Sequence, residues 1–130
     1  MLRSLTGIAV AFIVIVLVGW FVHGVILADQ YAQLDHLYRA QADALFACML
    51  GGQLLIAIAL VCLLNMYGPM LSLGLGACFG FFIGLMSAGS QIITYSVMPL
   101  PGELISWWVG TSLIQMTILG ALLADILKKE

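Results

Sequence analysis

LTGIAVAFIVIVLVGWFVHGVIL, the stretch from Leu5 to Leu27, carries no acidic or basic side chain apart from the titratable imidazole of His23. A helix needs about 20 apolar residues to cross a hydrocarbon layer roughly 30 Å thick, so this run is long enough to span a bilayer. It is longer than the apolar core of a signal peptide, about 7–15 residues, and no small-x-small cleavage site follows it. An uncleaved span is therefore expected, although Arg3 precedes it. Three more apolar runs follow, from about Ala44 to Met66, from Met70 to Val97 and from Leu104 to Leu127. Tyr67-Gly68-Pro69 separates the second run from the third, and Met98-Pro99-Leu100-Pro101-Gly102-Glu103 the third from the fourth. These are turn sequences, because proline lacks the amide hydrogen that a continuing helix needs.

The composition points the same way. Hydrophobic residues make up 64% of the 130-residue chain and charged residues 8%, with a mean hydropathy of +1.19. Soluble domains carry roughly half apolar and about a quarter charged residues, so too few charges are present here to wet a soluble surface. Four spans use nearly all of residues 1–130 and leave no room among them for a soluble catalytic domain. Backbone polar groups in lipid must be paired within the segment, which long closely spaced runs achieve as helices rather than as alternating strands. The expected fold is all-α, a single-domain polytopic membrane protein forming a four-transmembrane-helix bundle.

Charge placement predicts the orientation. Arg3, Lys128 and Lys129 flank the two ends, whereas the first and third loops together hold only Arg39. The positive-inside rule puts both termini in the cytoplasm, and Asp29, Asp35, Asp43 and Glu103 then lie on the outer side. The net charge of −2 offers no basic patch for nucleic acid. Between the first two spans, DQYAQLDHLYRAQAD (Asp29 to Asp43) sets Tyr31, Leu34, Leu37 and Tyr38 at helical spacing, with Asp35 and Arg39 on another face. A short amphipathic helix on the outer membrane surface is expected there. Asp29, Asp35 and His36 do not form a recognised metal-ligand spacing, so no metal site is predicted.

Trp20, Tyr31, Tyr38, Tyr95, Trp107 and Trp108 all fall near the outer interface. An aromatic belt at headgroup depth accounts for them; a stacking site for a cofactor is the alternative. The third span places Ser72, Gly76, Gly80, Gly84 and Ala88 every four residues, a nearly straight stripe of small side chains that lets another backbone approach closely. The stripe suits an internal seam or a face for a second subunit, and Ala47 with Gly51 or Ser106 with Gly110 would supply matching partners. Cys48, Cys62 and Cys78 are isolated within spans, lack a C-x-x-C spacing and read as small apolar residues.

Polar residues inside spans are costly in hydrocarbon and mark places to look for function. His23, Gln53, Gln91 and Gln115 supply one per span. As helix–helix glue they contribute about 0.6 kcal/mol per contact; facing inward together, they would line a path for a small polar solute or proton. His23, the one ionisable side chain well inside a span, invites a haem, pigment or quinone reading, with Gly19 and Gly24 leaving space beside the ring. A bis-histidine haem lacks its second intramembrane imidazole, and no cofactor is predicted. No span carries a mid-membrane carboxylate of the kind proton-coupled exporters use, and no nucleophile–base set shares a local motif.

The segments Gly19-Trp20-Phe21-Val22-His23-Gly24 and Gly110-Thr111-Ser112-Leu113-Ile114-Gln115 through Gly120, with the glycine-rich third span between them, give a layout that resembles uncharacterised small four-helix bacterial membrane proteins. That resemblance implies the four-helix architecture and a bacterial inner-membrane location, and no catalytic residues. The function expected is that of a non-enzymatic membrane protein working through helix packing, with itself or with other membrane subunits. A carrier or channel lined by His23, Gln53, Gln91 and Gln115, and haem, pigment or quinone binding near His23, are the alternatives.

Overall fold

A computed structural model describes residues 1–39 and 45–128. Its long helices are α1 (Leu2–Phe21), α3 (Phe46–Asn65), α4 (Leu73–Val97) and α5 (Gly102–Leu127), with the short α2 (Ala28–Gln33) after the first. All four long helices are apolar and long enough to cross a membrane; α1 does so together with the π-helical turn Val22–Ile26 that extends it. At 1.5 Å per residue, α3 is about 30 Å long and α5 about 39 Å.

The turns behave as their proline and glycine content predicts. Gly68, at φ +51°, opens a 3-10 turn through Pro69 and Met70, so α4 begins at Leu73 and Met70 belongs to the connection. Ser72 caps α4 by accepting a hydrogen bond from the Leu75 amide at 3.2 Å, satisfying one of the unpaired amides of the first turn. It therefore stands outside the packed stripe that follows it. Pro101 precedes α5, and Glu103 lies in its first turn, where a carboxylate complements the helix dipole.

The segment from Asp29 to Asp43 differs from the single surface helix expected. α2 stops at Gln33, a 3-10 turn covers Asp35–Leu37, and Tyr38 is extended; residues 40–44, including Asp43 and the expected start of the second span at Ala44, lie outside the described residues. Leu27 and Leu34 are buried with Val22, Leu100, Leu104 and Ile105. The apolar face of this segment thus packs down onto the ends of α1 and α5, which breaks the helix into two short pieces to follow their surface.

α1, α3 and α5 form a three-helix cluster, and α4 packs almost wholly on α5. Ala11 and Ile15 of α1, Ala57, Leu60 and Leu64 of α3, and Leu119 and Leu123 of α5 make the core of the cluster. Arg3 donates to the Lys128 carbonyl, and the Asn65 side chain to Ser4 Oγ at 3.3 Å. Both chain ends therefore lie at one end of the bundle, the terminal end, with His23, α2 and the α4–α5 turn at the other, the loop end.

The glycine stripe becomes the α4–α5 seam. Gly76, Gly80, Gly84 and Ala88 are buried, and α5 backbone lies against each of the three glycines, joined at Gly76 by the Ala124 methyl. A Cβ on Gly80 would lie 1.9 Å from the Met116 carbonyl oxygen, one on Gly84 2.7 Å from that of Ser112, and one on Gly76 2.4 Å from that of Gly120. Gly120 returns the contact, since its own Cβ would meet the Gly76 carbonyl at 2.2 Å. The matching surface is Ser112, Met116, Gly120 and Ala124. It is not Ala47/Gly51 or Ser106/Gly110, because at Gly51 and Gly110 a Cβ would find nothing within 4 Å. Cys48, Cys62 and Cys78 are exposed on the outside of the bundle, as are Leu55, Phe82, Met86 and Ile93. The cysteines are thus outward-facing rather than core residues.

Candidate functional site

Three aromatic side chains meet at the loop end. The Trp108 indole N–H can only donate, and it donates to Tyr31 Oη at 2.8 Å. Tyr31 Oη also lies 2.7 Å from His23 Nδ1. When the phenol donates to Nδ1 while accepting from the indole, the neutral ring is the Nε2–H tautomer. The rings pack as well: His23 lies 5.8 Å from Tyr31 and 6.1 Å from Trp108, and Tyr38 meets Tyr31 edge-on at 5.5 Å, centroid to centroid. Burial pushes the Tyr31 phenol up to about 12 from its ordinary 10.0; the Trp108 hydrogen bond opposes the rise and Tyr38 adds to it. Burial also raises the Tyr38 phenol.

The π-helical turn is the local device that presents His23. It inserts an extra residue into the helical repeat, as such turns do at many functional sites, and its exit through Leu27 leads into α2, which packs against the turn. Tyr31 thereby reaches His23, eight residues earlier. The space expected beside Gly24 is taken up: a Cβ there would sit 3.4 Å from the Trp20 ring. Trp20 itself is exposed, as are Tyr95 and Trp107, while Tyr31 and Trp108 are half-buried. Within the set expected to form one belt, only Tyr31 and Trp108 are joined by a hydrogen bond among the described residues.

The four polar residues His23, Gln53, Gln91 and Gln115 of the apolar helical segments are held separately. Gln91 Nε2 donates to Ser112 Oγ at 2.8 Å across the α4–α5 seam. Gln53 lies beside α1, its Nε2 3.6 Å from where a Gly19 Cβ would stand, so the space at Gly19 is glutamine-lined. Gln115 lines a groove between α1 and α5, and His23 belongs to the Tyr31 cluster. Among the described residues no hydrogen bond joins any two of the four. Gln53 Oε1, Gln91 Oε1 and Gln115 Nε2 are buried without a partner among the described residues.

The groove has a volume of about 560 Å³ and opens sideways from the bundle. Val14 and Val18 of α1 form one wall; along α5 it runs from Glu103, Ser106 and Trp107 past Gly110, Thr111 and Gln115 to Leu122. Sequence reasoning had grouped Ser106 and Gly110 as seam residues and missed this use of them. The available signal was the recurrence of Ser106, Gly110, Ile114 and Ile118 every four residues on a face offset from the seam. No protein family, curated protein or solved structure matches this chain.

Proposed function

We propose that this chain is a small, non-enzymatic integral membrane protein that works through helix–helix association, with itself or as an accessory subunit of a membrane complex. The α1–α5 groove carries the reading: it is lined mainly by apolar side chains, and an amide without a partner among the described residues and an uncovered glycine belong to its lining residues. Small residues beside open space and polar groups short of partners are what helix interfaces in lipid are built from. The other polar side chains favour packing over a conducting path, since Gln91 is engaged with Ser112 and His23 with Tyr31. On this reading the exposed apolar belt faces lipid. Arg3 and Lys128 at the terminal end favour a cytoplasmic position for both termini in a multi-pass bacterial inner-membrane protein.

Native mass spectrometry after mild extraction from the source membrane tests the reading. An assembly heavier than one 14.0 kDa chain is expected, and a lone chain in every extraction would remove it. A second reading, binding of a quinone-type headgroup, is favoured by the Tyr31 phenol beside His23 Nδ1: with the phenol as donor, the ring presents Nε2–H, which suits a carbonyl acceptor better than an iron. Quinone extracted with the purified protein in near-equal amount, and lost on His23→Ala, is its expected signature; retention after that change would overturn it.

A further inference from the structure

We infer that α2 is a pH-sensitive strap, fastened across the loop end through Tyr31 while His23 is neutral and released about Leu27 when the imidazole takes up a proton. The fastening is a chain of two hydrogen bonds with a fixed direction. Trp108 can only donate, so its indole N–H fills an acceptor position on Tyr31 Oη, and the phenol hydrogen is left for His23 Nδ1, 2.7 Å away. A neutral ring accepts that hydrogen. A protonated ring carries N–H on both nitrogens and accepts nothing. Nδ1 then has to donate to an oxygen already engaged by the indole, and the phenol hydrogen loses its acceptor. No further partner of Tyr31 Oη is found among the described residues, and a half-buried donor without an acceptor is costly.

Little else holds α2 in place. None of its own residues is buried; Leu27 before it is fully buried and serves as the fixed point, and Leu34 after it is the apolar contact that lifts. Gln30 Oε1 of α2 is buried without a partner among the described residues, so release returns that oxygen to water and offsets part of the lost contact. Nothing beside His23 balances a charge on its ring. The acids of the elements packed around it are Asp29 in α2, Asp35 in the 3-10 turn and Glu103 in α5, the cations there are His36 and Arg39, and α1 brings only Arg3 at its far end. Among the described residues the one imidazole–carboxylate contact within 4.0 Å is His36 with Asp35, at 3.9 Å. The phenols of Tyr31 and Tyr38, which pack about the ring, stay neutral over the range in which an imidazole titrates. A charged His23 is therefore better solvated with the strap off. Release also uncovers the Trp108 indole and the apolar patch of Val22, Leu100, Leu104 and Ile105 beneath it. Such a local change of charge biasing a two-state element is how histidine-based pH switches operate.

Spin-label mobility in the full chain, held in lipid nanodiscs, tests this. Cys48, Cys62 and Cys78 are replaced by alanine, and the label is carried by Ala32→Cys, an exposed position of α2. Acidification from about pH 8 to about pH 5, the range in which histidine titrates, should raise the ratio of mobile to immobile label about tenfold, the order of one lost hydrogen bond. His36→Gln should keep the step, and His23→Gln, whose amide does not titrate, should abolish it. Tyr31→Phe should leave the label mobile at both pH values. Because the chain has two histidines, His36→Gln leaves His23 as the only imidazole, and nitrogen-15 NMR of labelled histidine then follows the site itself, whether or not His23→Gln folds. The Nε2–H tautomer is expected at the alkaline end and a doubly protonated ring at the acid end, with the same midpoint as the mobility step. Unchanged mobility across the range, a step that persists in His23→Gln or vanishes in His36→Gln, or an NMR midpoint apart from the mobility midpoint would overturn the inference.

Discussion

Tyr31 joins three segments of the chain through one oxygen. Removing it in Tyr31→Phe leaves the Trp108 indole N–H without its acceptor and His23 Nδ1 without its donor. A loss of about 1–3 kcal/mol is expected, the cost of an unsatisfied, partly buried donor, measured by unfolding in detergent micelles. Trp108→Phe removes the donor together with its need, so the double variant should be less destabilised than the two single losses added together. The phenol also sets a pH dependence. Its folded pKa, about 12, is raised above the ordinary 10.0 mainly by burial, so the folded state favours the neutral form. Its contribution to stability is whole below pH 10 and declines as pH rises from 10 towards 12. An ultraviolet phenolate titration should show a component ionising near 12 that is lost in Tyr31→Phe; its absence from the parent, or its persistence in Tyr31→Phe, would contradict this. At this scale the sequence was legible in part. Hydropathy and helical rise place His23 near one end of the first apolar run, but they do not reveal that Tyr31 folds back on it or that Trp108, 77 residues beyond Tyr31, completes the set.

The α4–α5 pair shows at the level of elements what small residues accomplish. With Met116 and Gly120 backbone in van der Waals contact with α4, Gly80→Ala forces either helix to move, and a loss of about 1–3 kcal/mol or more is expected from such overpacking. Gly89→Ala is the control on the same helix. A Cβ there meets nothing within 4 Å, and replacing a helical glycine with alanine should stabilise by about 0.5–1 kcal/mol. Equal effects at the two positions, read by resistance to denaturing detergent, would be incompatible with a seam along one face. The four-residue period of Gly76, Gly80 and Gly84 announces a close contact in the sequence itself. Its partner was harder to read, because Met116 interrupts the small-residue pattern of Ser112, Gly120 and Ala124. The contact at that turn is made by its carbonyl, which every residue type possesses.

For the whole molecule the decisive arrangement is three helices in a cluster and a fourth held along α5. The terminal end gathers Arg3 and Lys128, with Arg3 bonded to the carbonyl of Lys128, the residue that caps α5, where a cation suits the helix dipole. Orientation in the membrane is testable in spheroplasts lacking the native cysteines. Lys128→Cys should resist a membrane-impermeant maleimide added from outside, and His36→Cys should react with it. The reverse pattern would invert the proposed topology, and reaction of both, in intact spheroplasts, would contradict an even number of spans.

The sequence by itself determined the elements: four apolar helices, their approximate ends at Gly68-Pro69 and Pro99-Pro101, and the stripe that one of them presents. Hydrophobicity, glycine and proline act over one or two turns, so their consequences can be read locally. Tertiary structure alone decided which backbone the stripe closes on, the separation of His23, Gln53, Gln91 and Gln115 onto different neighbours, and the survival of an open groove beside Gly110. Those outcomes depend on the rotation of each helix about its axis relative to the others, which is set by side-chain fit along the whole interface. In a chain apolar on nearly every face, hydrophobic patterning does not specify that rotation.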